Sequence, residues 1–253
     1  MVSATLWVPF EVLERLQDLQ SVRTSSAAGS WRRWNVELGA RAYRGFALTL
    51  TGTTFLTGLF FIGYFYVQRH PAYTPTIMPV TKLDLMIPFQ PQALLAYVSL
   101  WIYIGVGPGL QRTYAAISVY VLWMIGLCVS GLMIFYFWPT QVPPLTLDAT
   151  GFSGFAVLHR MDETSNACPS MHVAVATFTV VRVDEVLRST GSPRLLQLLN
   201  AAWFILIAYS TLAIKQHVTL DVAAGALLGM IFVFPSLRLR PGGVGESSGC
   251  RPI

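Results

Sequence analysis

Charge is scarce in this 253-residue chain. Acidic and basic residues make up 11% of it, against 54% hydrophobic residues and a mean hydropathy of +0.55. A soluble domain carries roughly 25% charged residues, so an ordinary water-facing fold is excluded. Cysteine is scarce too. Cys128 falls in an apolar run, Cys168 in a loop and Cys250 in the tail, which offers no disulfide framework. No residues are spaced as a metal-ligand cluster, and no cofactor is implied. No cleavable leader is expected either. Glu11, Glu14, Asp18 and Glu37 stand among the arginines of residues 1–44, and the first long apolar run begins only at Phe46.

Long hydrophobic runs are what the sequence has in abundance. "FALTLTGTTFLTGLFFIGYFYV", residues 46–67, is long enough for a membrane span, which needs about 20 residues. "ALLAYVSLWIYIGVG" (93–107) and "YAAISVYVLWMIGLCVSGLMIFYFW" (114–138) follow. A fourth run, 171–187, is less pure, because Arg182, Asp184 and Glu185 occupy its last turns. Residues 195–214 and 218–237 complete six. Backbone groups in lipid must be satisfied within their own segment. The expectation is therefore all-α: a polytopic bundle of six transmembrane helices. Three regions follow, with a cytoplasmic segment over 1–44, the membrane domain over 45–238 and a disordered cytoplasmic tail over 239–253. Within the first, "PFEVLERLQDLQ" reads equally as a helix lying on the membrane surface or as a short cytoplasmic helix.

The net charge of +5 and pI of about 9.3 are explained by location. With six spans, Arg69, Lys82, Arg160 and Lys215 fall on one side and the other thirteen of the seventeen basic residues on the opposite side. The positive-inside rule puts both termini in the cytoplasm. For a bacterial inner membrane the opposite face is periplasmic. A nucleic-acid partner is not needed to account for the charge; oligomeric state is left open.

The outer side also collects the unusual chemistry. All four histidines and both lysines are there: His70, His159, His217, Lys82 and Lys215 on the connections 68–91, 139–169 and "KQH", 215–217, and His172 at the outer end of the fourth run. Asp221 follows His217 by four residues, so on a helix it lies one turn on with its side chain tilted back towards the imidazole. A carboxylate on one ring nitrogen leaves the other free as nucleophile or base. The competing reading is a helix-capping pair with a histidine that reaches water. In "CPSMH", Pro169 and Ser170 are helix-start residues. A helix N-terminus favours an anion such as phosphate, and His172 stands beside it as a proton donor. An interfacial histidine at a span end is the bland alternative; the two stretches together weigh against it.

"CPSMH", followed after one helical hairpin by Ser210, His217 and Asp221, resembles the type 2 phosphatidic acid phosphatase superfamily of membrane lipid phosphatases and phosphotransferases. The resemblance covers roughly residues 46–237. It implies His217 as nucleophile, Asp221 as its orienting acid, His172 as general acid, Ser170 and Ser210 as motif serines at the substrate, and no metal. The departures are specific. Thr211 replaces the arginine expected after Ser210, and "KLDLMIPFQP" (82–91) replaces the first family motif. That stretch, with Lys82, Asp84 and Gln90 as substrate-side candidates, looks like the branch of inositol phosphorylceramide synthases. With two phosphate-binding arginines missing, another cation must balance the phosphoryl oxygens. The candidates, in order, are Lys215, Arg160, Lys82 and Arg69.

Elsewhere the residues suggest structure. Gly225 and Gly229 are spaced for close helix packing. Gly105, Gly107, Pro108 and Gly109 end the second span. Arg182, Asp184 and Glu185 read as a solvated inner helix end, and His70 and His159 as groups behind the site. The expected function is hydrolysis of a lipid phosphate, such as a phospholipid or polyprenyl phosphate. The alternative passes the phosphoryl headgroup to an alcohol. A third reading, a haem-binding electron carrier ligated by His172 and His217, leaves Asp221 and the Pro-Ser turn unexplained.

Overall fold

The computed structural model describes residues 10–144 and 165–238, with side chains described from residue 33 onward except at 44 and 45. His159, Arg160, Cys250 and the 239–253 tail lie outside the described residues. Helix α1 runs unbroken over Phe10–Arg69. It has no proline to interrupt it, and the residue 44–45 boundary falls inside it. Arg41 pairs with Glu37 one turn back and donates to the Leu110 carbonyl at 3.4 Å, fixing α1 to the turn between the next two spans.

The connection after α1 is extended and proline-rich, as the fixed φ of proline favours. It contains strand β1 (Thr76–Ile77) and the short helix α2 (Lys82–Met86). A 3₁₀ turn at Pro91–Ala93 leads into α3 (Leu94–Val98), α4 (Leu100–Gly109) and α5 (Tyr114–Phe137). Strand β2 (Thr140–Gln141) pairs in parallel with β1, Thr76 opposite Thr140. This two-residue ladder is a small addition to the all-α expectation. It ties the two long connections together above the helices. Then come α6 (Met171–Ser189), α7 (Arg194–Ala213) and α8 (Thr219–Arg238).

Among the described residues, five segments are long and apolar enough to cross a membrane: Phe46–Arg69, Pro91–Gly109, Tyr114–Phe137, Arg194–Ala213 and Thr219–Arg238. The expected fourth span, α6, is a helix but is not among them. Arg182, Asp184, Glu185 and Arg188 crowd its second half. Its position explains the tolerance. Helix α6 packs against α4, α5, α7 and α8, and residues on every face of it are buried, from Val173 and Phe178 to Arg182 and Leu187. A helix solvated by protein needs less hydropathy than one facing lipid.

The contact of α6 with α8 depends on two glycines. A Cβ at Gly225 would lie 2.3 Å from the Ser170 carbonyl oxygen, and one at Gly229 would lie 2.5 Å from that of Ala174. The close approach read from their spacing is present. At the far end of α6, the solvated helix end is corrected for Arg182. This residue is 5% exposed, and its two terminal nitrogens donate to Glu185, Gln111 and the Ser236 carbonyl. Removal from water leaves a guanidinium dependent on such partners, and three elements converge to supply them.

Candidate active site

His172 is the second residue of α6, whose start is fixed by Ser170. The Ser170 hydroxyl accepts from Val173 N at 3.4 Å, and its backbone N donates to the Asp221 carbonyl at 2.9 Å. Ser170 is thus fully buried as a helix cap pressed on Gly225. The imidazole of His172 stacks on Tyr97, with ring centroids 4.2 Å apart. The Tyr97 hydroxyl is 3.4 Å from Nδ1. Nε2 is buried without a hydrogen-bond partner.

His217 lies in the short link between α7 and α8. Lys215 adopts a positive φ of 60°, which reverses the chain and lets Gln216 N and His217 N both donate to the Thr211 carbonyl. Thr211, in the place of the family arginine, therefore supplies a backbone acceptor that caps the helix end. The ring centroid of His217 is 5.9 Å from that of His172. Its Nδ1 is 3.6 Å from Asp221 Oδ2, with His217 8% and Asp221 0% exposed. That carboxylate oxygen also accepts from Val218 N at 2.9 Å, while Oδ1 has no partner. Asp221 thus caps the start of α8 and faces the imidazole at once. Catalytic hydrogen bonds are often long without substrate and tighten when it binds.

Both histidines line one cavity of about 530 Å³ that continues between α1, α4 and α5. Sequence reasoning missed three of its lining residues: Tyr97 and Trp101, whose rings meet His172, and Asn166. Asn166 carries a signal in retrospect, since asparagine tolerates positive φ and here has φ 58°. The two aromatics give none, because helical aromatics are everywhere in this chain.

The expected phosphate-side residues are mostly elsewhere. Lys215 donates to the carbonyls of Asp84 and Ile87, so its ammonium fastens the α2 connection and does not line the cavity. Burial lowers its pKa, with the Asp84 charge opposing. Asp84 is a cap: it accepts from Thr219 N at 2.7 Å, Thr219 Oγ1 at 2.6 Å, Thr81 N at 2.7 Å and Thr81 Oγ1 at 2.8 Å. Burial works against its charge, but these bonds, that of the Thr219 hydroxyl foremost, hold its pKa below the ordinary 3.8. Gln90 donates to the Tyr209 hydroxyl at 2.7 Å, and Ser210 bonds back to the Ile207 carbonyl at 2.6 Å. Neither reaches the histidines. Lys82 and Arg69 are exposed. His70 is exposed and stacks on Tyr66, away from the cavity. The "KLDLMIPFQP" stretch thus acts, in this structure, as a clasp over the start of α8.

A family model described as the PAP2 superfamily matches residues 143–242. The match supports that superfamily. It takes in α6, α7 and α8, and with them Ser170, His172, His217 and Asp221. No curated protein and no solved structure matches the chain.

Proposed function

We propose that this protein is an integral-membrane lipid phosphate phosphatase of the PAP2 superfamily, working through a phosphohistidine at His217. The observation that carries the reading is the meeting of His172 and His217 at one end of an apolar cavity, with a fully buried Asp221 behind His217. With Nδ1 turned to Asp221, His217 Nε2 attacks phosphorus. The bond from phosphorus to the lipid oxygen breaks as the N–P bond forms. His172, protonated, gives its Nε2 proton to the departing alkoxide, and Asp221 balances the imidazolium. In the second half a water loses its proton to His172 and attacks the phosphohistidine, releasing phosphate and restoring both rings. With no cation of the described residues at the rings, the first-turn amides of α6 and its dipole face the phosphoryl group.

The transferase reading keeps the first half and replaces the water by an alcohol. The charge asymmetry of the sequence favours a site on the outer face, with both termini cytoplasmic and, in a bacterial cell, the histidines towards the periplasm; an external reporter fused after residue 90 reads that side directly. The test of the chemistry is single-turnover labelling with a ³²P-labelled alkyl phosphate, run in EDTA. An acid-labile, alkali-stable phosphoenzyme is expected in the unsubstituted protein and none in His217→Ala. Labelled His217→Ala would overturn the mechanism, as would activity that vanishes with EDTA and returns with a divalent ion. Labelled product in the presence of an alcohol acceptor distinguishes transfer from hydrolysis.

A further inference from the structure

The cavity is much longer than the chemistry needs. Trp101 links its α1 wall at Phe61 to His172, and along α1 it is lined from Phe65 down to Thr53. At 1.5 Å per residue that is about 18 Å, slightly more than one leaflet of a hydrocarbon core about 30 Å thick. Its walls are apolar, contributed by Phe60 and Leu56 of α1, Trp101 and Ile104 of α4, and Cys128 and Leu132 of α5. Its volume suits a single flexible ligand.

Tyr120, Pro108 and Thr53 line its lower end. Tyr120 is held from three directions. Its hydroxyl is 3.1 Å from Thr179 Oγ1, its ring meets Phe178 edge-on at 5.1 Å, and it lies so close to Gly107 that a Cβ there would be 2.2 Å from the hydroxyl. A floor fixed in this way does not swing aside for a longer ligand.

We infer that this groove receives the hydrocarbon chain of the substrate, and that Tyr120 sets the longest chain that fits. The inference rests on the phosphatase reading, since the groove opens at the two histidines. The occupant is a linear alkyl or prenyl chain carrying its phosphate at the end. Buried apolar area stabilises such a complex by about fourfold in affinity for each methylene. That gain stops when the chain meets the phenol ring.

The test has a kinetic and a chemical arm. A series of alkyl monophosphates from octyl to eicosyl, kept monomeric, should show kcat/KM rising with length and then levelling. Cys128 lies eight residues from Tyr120 on α5, about 12 Å above the floor, so Cys128→Trp should end the rise at much shorter chains. Tyr120→Ala should move it to longer ones. Nitrophenyl phosphate, which has no chain, should react equally with all three proteins. An unchanged length profile in both variants overturns the inference, and so does an equal loss on every substrate. In the second arm the unsubstituted protein is irradiated with a hexadecyl phosphonate carrying a terminal diazirine. Adducts are expected at Tyr120, Pro108 or Thr53. Adducts only at outward residues such as Leu122 and Met133, which are 66% and 54% exposed, overturn the chain site. Normal labelling by nitrophenyl phosphate in that case leaves the catalytic reading standing; loss of that labelling would strike the catalytic reading itself.

Discussion

Arg182 and Asp221 are both charged, both buried, and both carried by the helices at the centre of the bundle. Their surroundings differ. Arg182 reaches Gln111, Glu185 and the Ser236 carbonyl, and its guanidinium lies 6.0 Å from the Tyr120 ring. Around Asp221 the hydrogen bonding is incomplete: its own Oδ1 and Nε2 of His172 have no hydrogen-bond partner, and Nδ1 of His217 approaches Asp221 Oδ2 only to 3.6 Å. Burying a polar atom without a partner costs free energy. Three such atoms stand together at the histidine site, whereas the terminal nitrogens of Arg182 join the α4–α5 turn, α6 and α8. One end of the bundle is organised for chemistry and the other for assembly.

The sharpest way to break that contrast is through its catalytic end. Asp221→Asn keeps the shape but loses the charge that balances an imidazolium, and ~10⁴-fold accompanies the analogous change in a Ser-His-Asp triad. His172→Ala removes a proton donor, typically worth about 10²–10⁴-fold. The loss should be large for an alkyl phosphate and small for the first step with nitrophenyl phosphate, whose leaving group needs no proton. Single-turnover rates on the two substrates decide it. Equal losses on both would remove His172 as the acid.

Much of this site was legible in the sequence because its spacing is local. His217 and Asp221 are one helical turn apart, and Ser170 and His172 share one helix start, so chain geometry alone brings each pair together. What was not legible is long-range. The resemblance of the 82–91 stretch suggests Asp84 as a substrate-side residue, and charge and nearness to His217 suggest Lys215, yet Asp84 caps α8 and Lys215 binds carbonyls 128–131 residues away. Arg182 was read as solvated because charge at a helix end normally is. Its partners Gln111 and Ser236 come from other elements, and no periodicity announces them. Tyr97 was hidden among the many aromatics of the spans. The membrane helices themselves are plain from hydropathy, and α6, which its neighbours bury, falls short of the spans that face lipid because of the charges in its second half.

Between the two ends the α6–α8 contact carries the geometry of both. Gly225→Ala places a methyl on the Ser170 carbonyl, and overpacking of this kind costs about 1–3 kcal/mol. Gly105 meets nothing within 4 Å of a Cβ, so Gly105→Ala should be neutral or slightly stabilising, by up to about 1 kcal/mol. Thermal unfolding in detergent compares them. Because Ser170 starts the helix that bears His172, Gly225→Ala should also lower kcat. If the two alanines behave alike, the close packing of α6 on α8 is not what positions the histidine.

Arg182→Met tests the assembly end. It removes the hydrogen bonds to Gln111 and Ser236 and leaves their oxygens buried, at a cost of about 1–3 kcal/mol. Stability should fall while kcat per folded molecule stays the same for nitrophenyl phosphate. A drop in kcat that persists after correction for the folded fraction would mean that the two ends are not independent.

The smallest effect belongs to the clasp over α8. Thr81 and Thr219 donate four hydrogen bonds to the Asp84 carboxylate, and they hold its pKa below 3.8 against the opposing effect of burial. A carboxylate with a lowered pKa in the folded state contributes stability above its unfolded value, and that contribution disappears as pH falls through the folded value. Asp84→Asn should therefore lower the Tm by the equivalent of about 1 kcal/mol, as for loss of a helix cap, or ~2–4 °C in a chain of this size. The gap to the unsubstituted protein should be constant from pH 7 to pH 5 and close below pH 4, where the unfolded carboxyl takes up its proton first. Melting curves across that range read it directly. A gap that stays constant down to pH 3 would show that the charge on Asp84 contributes nothing. The clasp would then hold by Lys215 and the backbone alone.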